Sequence, residues 1–391
     1  MDPLRNPFSP GAGSPPPELA GRENILSKAD LLLARVRSGR PGKSFIMVGL
    51  RGVGKTVLLN HIQNRAQAAG NRAVLTEAHE KKKLPELLAP ALKKLIFSLD
   101  HMEGISAKAK RALAILKSFL SGLKVKVAEV ELSIDPVPGV ADSGDLESDL
   151  PDLFEAVAEA ALERKTSVVI LIDELQYLTQ EELSALIMAM HRIAQKNLPL
   201  SFIGAGLPII PALAGESKSY AERLFEFPEI GPLSDQDARR AINEPAQKEG
   251  VTFTPEALDE IIRMTKGYPY FLQEWGFQAW GLAKTSPIDV DVIKQATSDS
   301  IKTLDESFFR VRFDRLTPRE RTYLRALAEL GPGQHRSGDV AAVMKINVSQ
   351  AAPIRNTLIQ KGMIYSPSHG DIAFSVPLFD EFMRRAIKNV E

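Results

Sequence analysis

Two short stretches of this chain carry residue types suited to phosphate chemistry. Gly49-Leu50-Arg51-Gly52-Val53-Gly54-Lys55-Thr56 follows the apolar run Ser44–Val48 and leads into a proline-free stretch from Lys55 towards Ala68. A strand, a glycine turn and a helix in this order aim backbone N–H groups at phosphate oxygens, and the helix N-terminus adds partial positive charge. Gly49, Arg51, Gly52, Val53 and Gly54 would form the cradle. Lys55 would reach the β- and γ-phosphates, and Thr56, followed by Val57 in the same first turn, would offer its hydroxyl to Mg²⁺. A chance match in a glycine-rich loop is the alternative, and the flanking strand and helix argue against it. The second stretch is Asp173-Glu174, which ends the apolar run Val168-Val169-Ile170-Leu171-Ile172. An acidic pair at the C-terminal end of a buried strand sits where α/β sheets place ligands. Asp173 would hold Mg²⁺ through water and Glu174 would act as general base on the attacking water. The bland alternative is a strand that ends in polar residues.

Composition is consistent with such a site and narrows the rest. A chain of 391 residues is long enough for two or three domains. The 49 basic and 49 acidic side chains cancel, so any basic surface must be local. With no cysteine, disulfides, thiolate metal sites and cysteine nucleophiles are excluded. The histidines (61, 79, 101, 191, 335 and 369) are scattered without metal spacing. No signal peptide and no membrane span are expected from the hydropathy, so the chain reads as soluble and cytoplasmic.

The elements that must position the two motifs follow in order. Residues 1–17, with Pro15-Pro16-Pro17, read as a flexible arm. Glu18 opens a helix through Arg37 with Leu31, Leu32 and Val36 on its apolar stripe. A second strand is expected at 73–76 and a helical stretch over 84–120. Alternation through Val125, Val127, Val130, Leu132 and Ile134 predicts a strand or hairpin, and 136–151 reads as a loop. The whole of 97–150 reads as an insertion between the two phosphate motifs. Helices over 153–164 and 181–195 flank the acidic strand, and a further strand covers 200–205. Its end, Gly204-Ala205-Gly206-Leu207-Pro208, offers no polar side chain to sense a γ-phosphate. Strands alternating with helices predict an α/β, doubly wound parallel sheet.

From Pro232 only helices are expected: one capped by Ser234, one opened by Thr254-Pro255, one from Tyr268 through Trp275 and Trp280, and one from Ile288 to about Arg315. Thr317, Pro318 and Glu320 form a capping box that begins a last domain. Three helices and a hairpin closing across 366–371 describe a winged helix-turn-helix. The expected division is therefore an arm at 1–17, a phosphate-binding domain at 18–231, an all-helical lid at 232–315 and a winged helix at 316–391.

These motifs together resemble AAA+ ATPases of the archaeal-type and origin-recognition-initiator kind, which are similar to the STAND signalling ATPases. Asp173-Glu174-Leu175-Gln176 matches the acidic motif of the archaeal-type proteins, and Gly267-Tyr268-Pro269 looks like the Gly-x-Pro motif of the STAND-like ones. The resemblance implies ATP or ADP with Mg²⁺, an adenine bordered by Gly21, Arg22 and Pro269, and oligomers in which Arg223 acts on a neighbour's γ-phosphate. An arginine set among Glu222, Glu226 and aromatics equally describes a structural ion pair. The sequence departs from the pattern in lacking a polar first sensor, unless Ser201 serves, and an arginine at the second-sensor position.

Over 316–391 basic side chains exceed acidic ones by three, which is mild for a DNA-binding module. Gln350, Arg355, Asn356, Gln360 and Lys361 on the third helix are types that reach phosphates and base edges. Two functions follow. One is an Mg²⁺-dependent ATPase coupled to the winged helix and associated with double-stranded DNA. The other is a nucleotide-gated switch whose winged helix binds a protein partner. A small-molecule kinase is disfavoured because no acceptor pocket is evident.

Overall fold

The computed structural model describes residues 1–11, 13–99, 106–125, 134–368 and 370–388. Contacts divide the chain into two units. One joins Glu23–Val48 to Lys55–Glu229, and the other joins Met1–Arg22, Gly49–Gly54 and Ile230–Glu391.

The first unit runs α1 (Glu23–Arg37), β1 (Ser44–Val48), α2 (Lys55–Ala68), β2 (Arg72–Glu77), α3 (Leu84–Ser98), α4 (Ala107–Gly122), α5 (Leu146–Glu163), β3 (Val168–Asp173), α6 (Gln180–Gln195), β4 (Leu200–Gly206), α7 (Ile210–Ser217), α8 (Ala221–Leu224) and β5 (Phe225–Glu226). The strands form one parallel sheet in the order β2-β3-β4-β1-β5. Every residue of β1, β3 and β4 is buried. Their near-continuous apolar sequences follow from that, since a parallel strand covered on both faces has no solvent side on which to place polar residues. β2 lies at the edge and is partly exposed.

Several sequence expectations shift. α1 begins at Glu23 rather than Glu18, and Leu31 is 62% exposed while Leu32, Leu33 and Val36 are buried. The helical stretch at 84–120 divides into α3 and α4, with 100–105 outside the described residues. Of the alternating set, Val127, Val130 and Leu132 also lie outside them. α5 starts ten residues into the acidic stretch read as a loop, because the polar residues there are cap chemistry. Asp145 accepts the Ser148 N–H, and buried Asp149 accepts from the Ser143 and Gly144 N–H groups at 3.2 and 2.9 Å. Leu113, Leu116 and Phe119 of α4 share a core with Leu153, Phe154 and Val157 of α5, so the stretch 97–150 contributes to the interior. A capping box of Thr179 and Glu182 opens α6, and the same Glu182 accepts the N–H of Leu84 at 2.7 Å, tying α6 to α3.

In the second unit, α9 (Asp235–Lys248), α10 (Pro255–Thr265), α11 (Pro269–Leu282) and α12 (Val290–Thr303) lead into a π-helical stretch, Leu304–Phe309, and α13 (Arg310–Asp314). Trp275 and Trp280 are buried in this helical region. The N-terminal arm is seated here instead of free. Phe8 is 3% exposed, and the Trp280 indole donates to the Asp2 carbonyl at 2.9 Å. Gly276 makes room for Phe8, since a Cβ there would fall 2.7 Å from its ring.

The chain closes with α14 (Pro318–Glu329), β6 (Gln334–Arg336), α15 (Ser337–Val343), α16 (Val348–Gln360), β7 (Ile364–Tyr365), β8 (Asp371–Phe374) and α17 (Phe379–Ala386). The strands pair antiparallel in the order β6-β8-β7. The three helices and hairpin expected from the sequence are present, while β6 and α17 were not anticipated. His369, between the hairpin strands, lies outside the described residues, as does His101.

Candidate nucleotide and catalytic site

In the sheet unit, α2 starts at Lys55 and β3 ends at Asp173, and the two motifs meet directly. The Thr56 hydroxyl donates to Asp173 Oδ2 at 2.5 Å although 117 residues separate them in the chain. Asp173 is 3% exposed. Burial pushes its carboxyl above the ordinary pKa, as does the nearby Glu174 charge; the Thr56 hydroxyl, the Glu174 N–H and Lys55 pull the other way without cancelling the shift. Lys55 is itself 7% exposed. A buried carboxylate beside a hydroxyl is a hard, oxygen-only donor set, which suits Mg²⁺. Among the described residues no group of three His, Asp or Glu could hold a metal, so an ion at Thr56 and Asp173 would take its other ligands from phosphate and water.

Glu174 follows with φ 55° and ψ 41°, a left-handed conformation that a residue with a side chain adopts at a cost of about 1 kcal/mol or more. Its N–H donates to Asp173 Oδ1 at 2.8 Å, which closes the turn and sends the chain across the end of β4. There the Gln176 amide spans two groups: Nε2 donates to Glu174 Oε2, and Oε1 accepts the Leu207 N–H at 3.1 Å. Ser201, the alternative polar sensor on β4, is buried and donates to the Val168 carbonyl at 3.4 Å, away from the strand end.

In the second unit, the loop Gly49–Gly54 takes partners from four distant stretches. Gly52 and Gly54 have φ of 83° and 92°, the conformations for which glycine is suited. Gly49 tolerates no side chain, because a Cβ would fall 2.1 Å from the Ile230 carbonyl oxygen. Arg22 is buried, and its guanidinium donates to the carbonyls of Val53 at 3.1 Å and Gly231 at 2.6 Å. Gly21, with φ of 69°, packs against Asp237. Pro269 opens α11, and the next residue, Tyr270, donates its N–H to the Gly52 carbonyl at 3.2 Å. Arg51 donates its N–H to the Ser375 carbonyl at 3.1 Å, and its guanidinium covers Gly362, where a Cβ would fall 2.9 Å away. Arg22 and the residue that follows Pro269 are therefore bonded to the loop, and Gly21 precedes Arg22 in the chain. The contacts from Tyr270 and Ser375 carried no sequence signal, being made by backbone groups.

The remaining candidates lie elsewhere. Arg223 is exposed on the four-residue α8. On α16, Asn356 is exposed, but Gln350 accepts the Asn347 N–H in a capping box. Arg355 donates to Ser337 Oγ at 3.4 Å and to Asn356 Oδ1 at 3.3 Å. Lys361 pairs with Glu320 at 2.7 Å and donates to the Arg315 carbonyl at 3.2 Å.

Residues 18–203 match the AAA ATPase domain family, and residues 306–383 match a family described as a domain of unknown function (DUF8462). None of the curated proteins compared matches the chain. Among solved structures, the Walker-type ATPase of Pyrococcus abyssi is similar over 94% of this chain and 96% of its own, with a TM-score of 0.57 and 17% identity. At that identity the likeness is one of fold. Orc1 of Aeropyrum pernix in complex with DNA gives a TM-score of 0.47 and 14% identity over 97% of this chain and 96% of its own. The RuvB Holliday junction branch migration motor of Thermotoga maritima gives 0.45 and 15% over 90% and 92%. No described helix is long and apolar enough to cross a membrane. The stretch 18–203, which carries both the phosphate-loop motif and Asp173-Glu174, is thus the part of the chain that matches the AAA ATPase domain family, on a parallel five-stranded sheet.

Proposed function

We propose that this protein hydrolyses ATP in an Mg²⁺-dependent manner and couples its nucleotide state to a C-terminal winged helix formed by residues 316–391. The observation that carries the reading is the Thr56–Asp173 contact, which joins the phosphate-loop helix to the acidic strand. In this reading the loop N–H groups and Lys55 bind the β- and γ-phosphates, and Gly21, Arg22 and Pro269 border the adenine. Thr56 and Asp173 hold the metal, directly or through water. When bound, the Mg²⁺ neutralises charge on the phosphate oxygens and fixes their orientation. Glu174 orients the water for in-line attack on the γ-phosphorus and takes its proton, and the bond to the β–γ bridging oxygen breaks to release ADP.

Coupling is supported by the Arg51–Ser375 and Gly52–Tyr270 bonds, through which the loop backbone touches both the helical region and the C-terminal region. A shift of the loop on nucleotide binding would strain both bonds. In the test, Lys55→Ala is expected to weaken binding of a fluorescent ATP analogue at least ~100-fold, the loss of a charged phosphate contact in a buried site. Undiminished affinity would remove the site assignment.

A second reading has support of its own. Gln350, Arg355 and Lys361 are all engaged within the chain, which favours a C-terminal region that meets a protein partner over one that meets double-stranded DNA. In that case the protein is a nucleotide-gated switch with slow turnover.

A further inference from the structure

The end of β4 carries no polar side chain of its own, and the packing around it accounts for that. A Cβ on Gly204 would fall 2.5 Å from Leu175 Cδ1. One on Gly206 would fall 2.8 Å from Ile210 Cγ1 and 3.0 Å from Gln176 Oε1. The two glycines make room for the turn that follows the acidic pair, and that turn brings a polar group to the strand end from β3. Gln176 is partly buried and both ends of its amide are used: the carbonyl accepts the Leu207 N–H, the first backbone donor beyond β4, and the amide N–H donates to the Glu174 carboxylate.

We infer that Gln176 is a positioning residue for hydrolysis, holding the Glu174 carboxylate in register with the end of β4 in place of the polar side chain that β4 lacks. The inference rests on Glu174 acting as the base. Glu174 sits in a left-handed turn, so its side chain leaves the strand in a direction the sheet does not fix. An amide anchored to the backbone just beyond β4 supplies a constraint on it. A carboxylate free to swing loses the alignment with the attacking water on which general-base catalysis depends.

The two ends of the amide can be tested separately in the full-length chain. Gln176→Glu keeps the acceptor for the Leu207 N–H and replaces the donor facing Glu174 with a carboxylate. Gln176→Ala removes both. Both variants are expected to lose kcat ~10–100-fold while KM and the dissociation constant for the ATP analogue stay within ~3-fold of wild type, as for a group that matters only in the transition state. Gln176→Glu should also keep the wild-type melting temperature. In a Glu174→Gln background, Gln176→Ala should cost no further rate, because there is no longer a base to align. Wild-type turnover by Gln176→Glu would mean that the residue only braces β4, and would overturn the inference. An undiminished further loss in the Glu174→Gln background would overturn it as well. A wild-type chain that binds ATP and releases no phosphate is a different result: it overturns the hydrolysis reading itself, and this inference with it.

Discussion

Asp173 and Glu174 are neighbours in the chain and differ in what holds them. Asp173 is enclosed, and burial lifts its pKa while Thr56 and Lys55 work against the shift, an arrangement that a cation would complete. Glu174 lies one residue on, partly exposed and turned out of the sheet by its positive φ. Replacing Glu174 with Gln keeps the volume and the hydrogen-bonding reach but cannot take a proton. Glu174→Gln is expected to bind ATP within ~3-fold of wild type and to release phosphate ~10²–10⁴-fold more slowly in a steady-state assay. Equal turnover would show that another group accepts the proton. The types and spacing of these residues were legible in the sequence, because phosphate and magnesium demand few residue types in a fixed order. The reach of Gln176 to Leu207 was not, since one partner is a backbone N–H 31 residues away.

At the scale of elements, α14 and the end of α16 are joined through one carboxylate. Glu320 completes the α14 capping box, accepting the Thr317 N–H at 2.7 Å, and also pairs with Lys361 at 2.7 Å. Burial alone would push its pKa up; the Lys361 ammonium and the Thr317 N–H and hydroxyl outweigh that and hold it below the ordinary value. A depressed carboxyl stabilises the fold above its unfolded pKa, and the contribution disappears as pH falls through the folded one. Glu320→Gln should therefore be less stable than wild type by about 1–3 kcal/mol near neutral pH. In thermal melts the gap should narrow once pH drops below about 4.5. A gap that stays constant down to pH 3 (about one unit below that value) would show that the charge of Glu320 adds nothing. The capping box was legible because it is local. The Lys361 pair was hidden by a separation of 41 residues, and its discovery changes the standing of Lys361 as a DNA contact. β5 and β7 are two residues long, and β6 three, so neither β5 nor β6 leaves a periodic signal to read.

For the whole molecule, the two proposed functions and the proposed oligomer meet in one experiment. Light scattering and the anisotropy of a labelled DNA duplex are measured on the same samples, with ADP or with a non-hydrolysable ATP analogue. If Arg223 serves a neighbour's site, particles should grow with the ATP analogue only, and Arg223→Ala should abolish the growth. If the C-terminal region binds DNA through phosphate contacts, anisotropy should rise at about 50 mM salt and fall steeply by about 200 mM. A flat anisotropy at the lower salt would favour the protein-binding switch. An unchanged mass in both nucleotides would remove the role of Arg223 in a neighbour. Chain order suggested a boundary near residue 231, with the phosphate loop on the sheet side. Contacts assign Gly49–Gly54 to the same unit as Ile230–Glu391. The reason lies in the loop backbone, whose partners at residues 22, 270 and 375 cannot be anticipated from a local pattern.

That wiring bears on how the chain could be dissected. A fragment cut to the matched stretch 18–203 would keep every residue of both signature motifs, yet the amide of Arg51 and the carbonyl of Gly52 would be stripped of their companions at Ser375 and Tyr270. The stretch that names the family is thus not a portable cassette. Two of the backbone bonds of its phosphate loop are made by residues farther along the polypeptide.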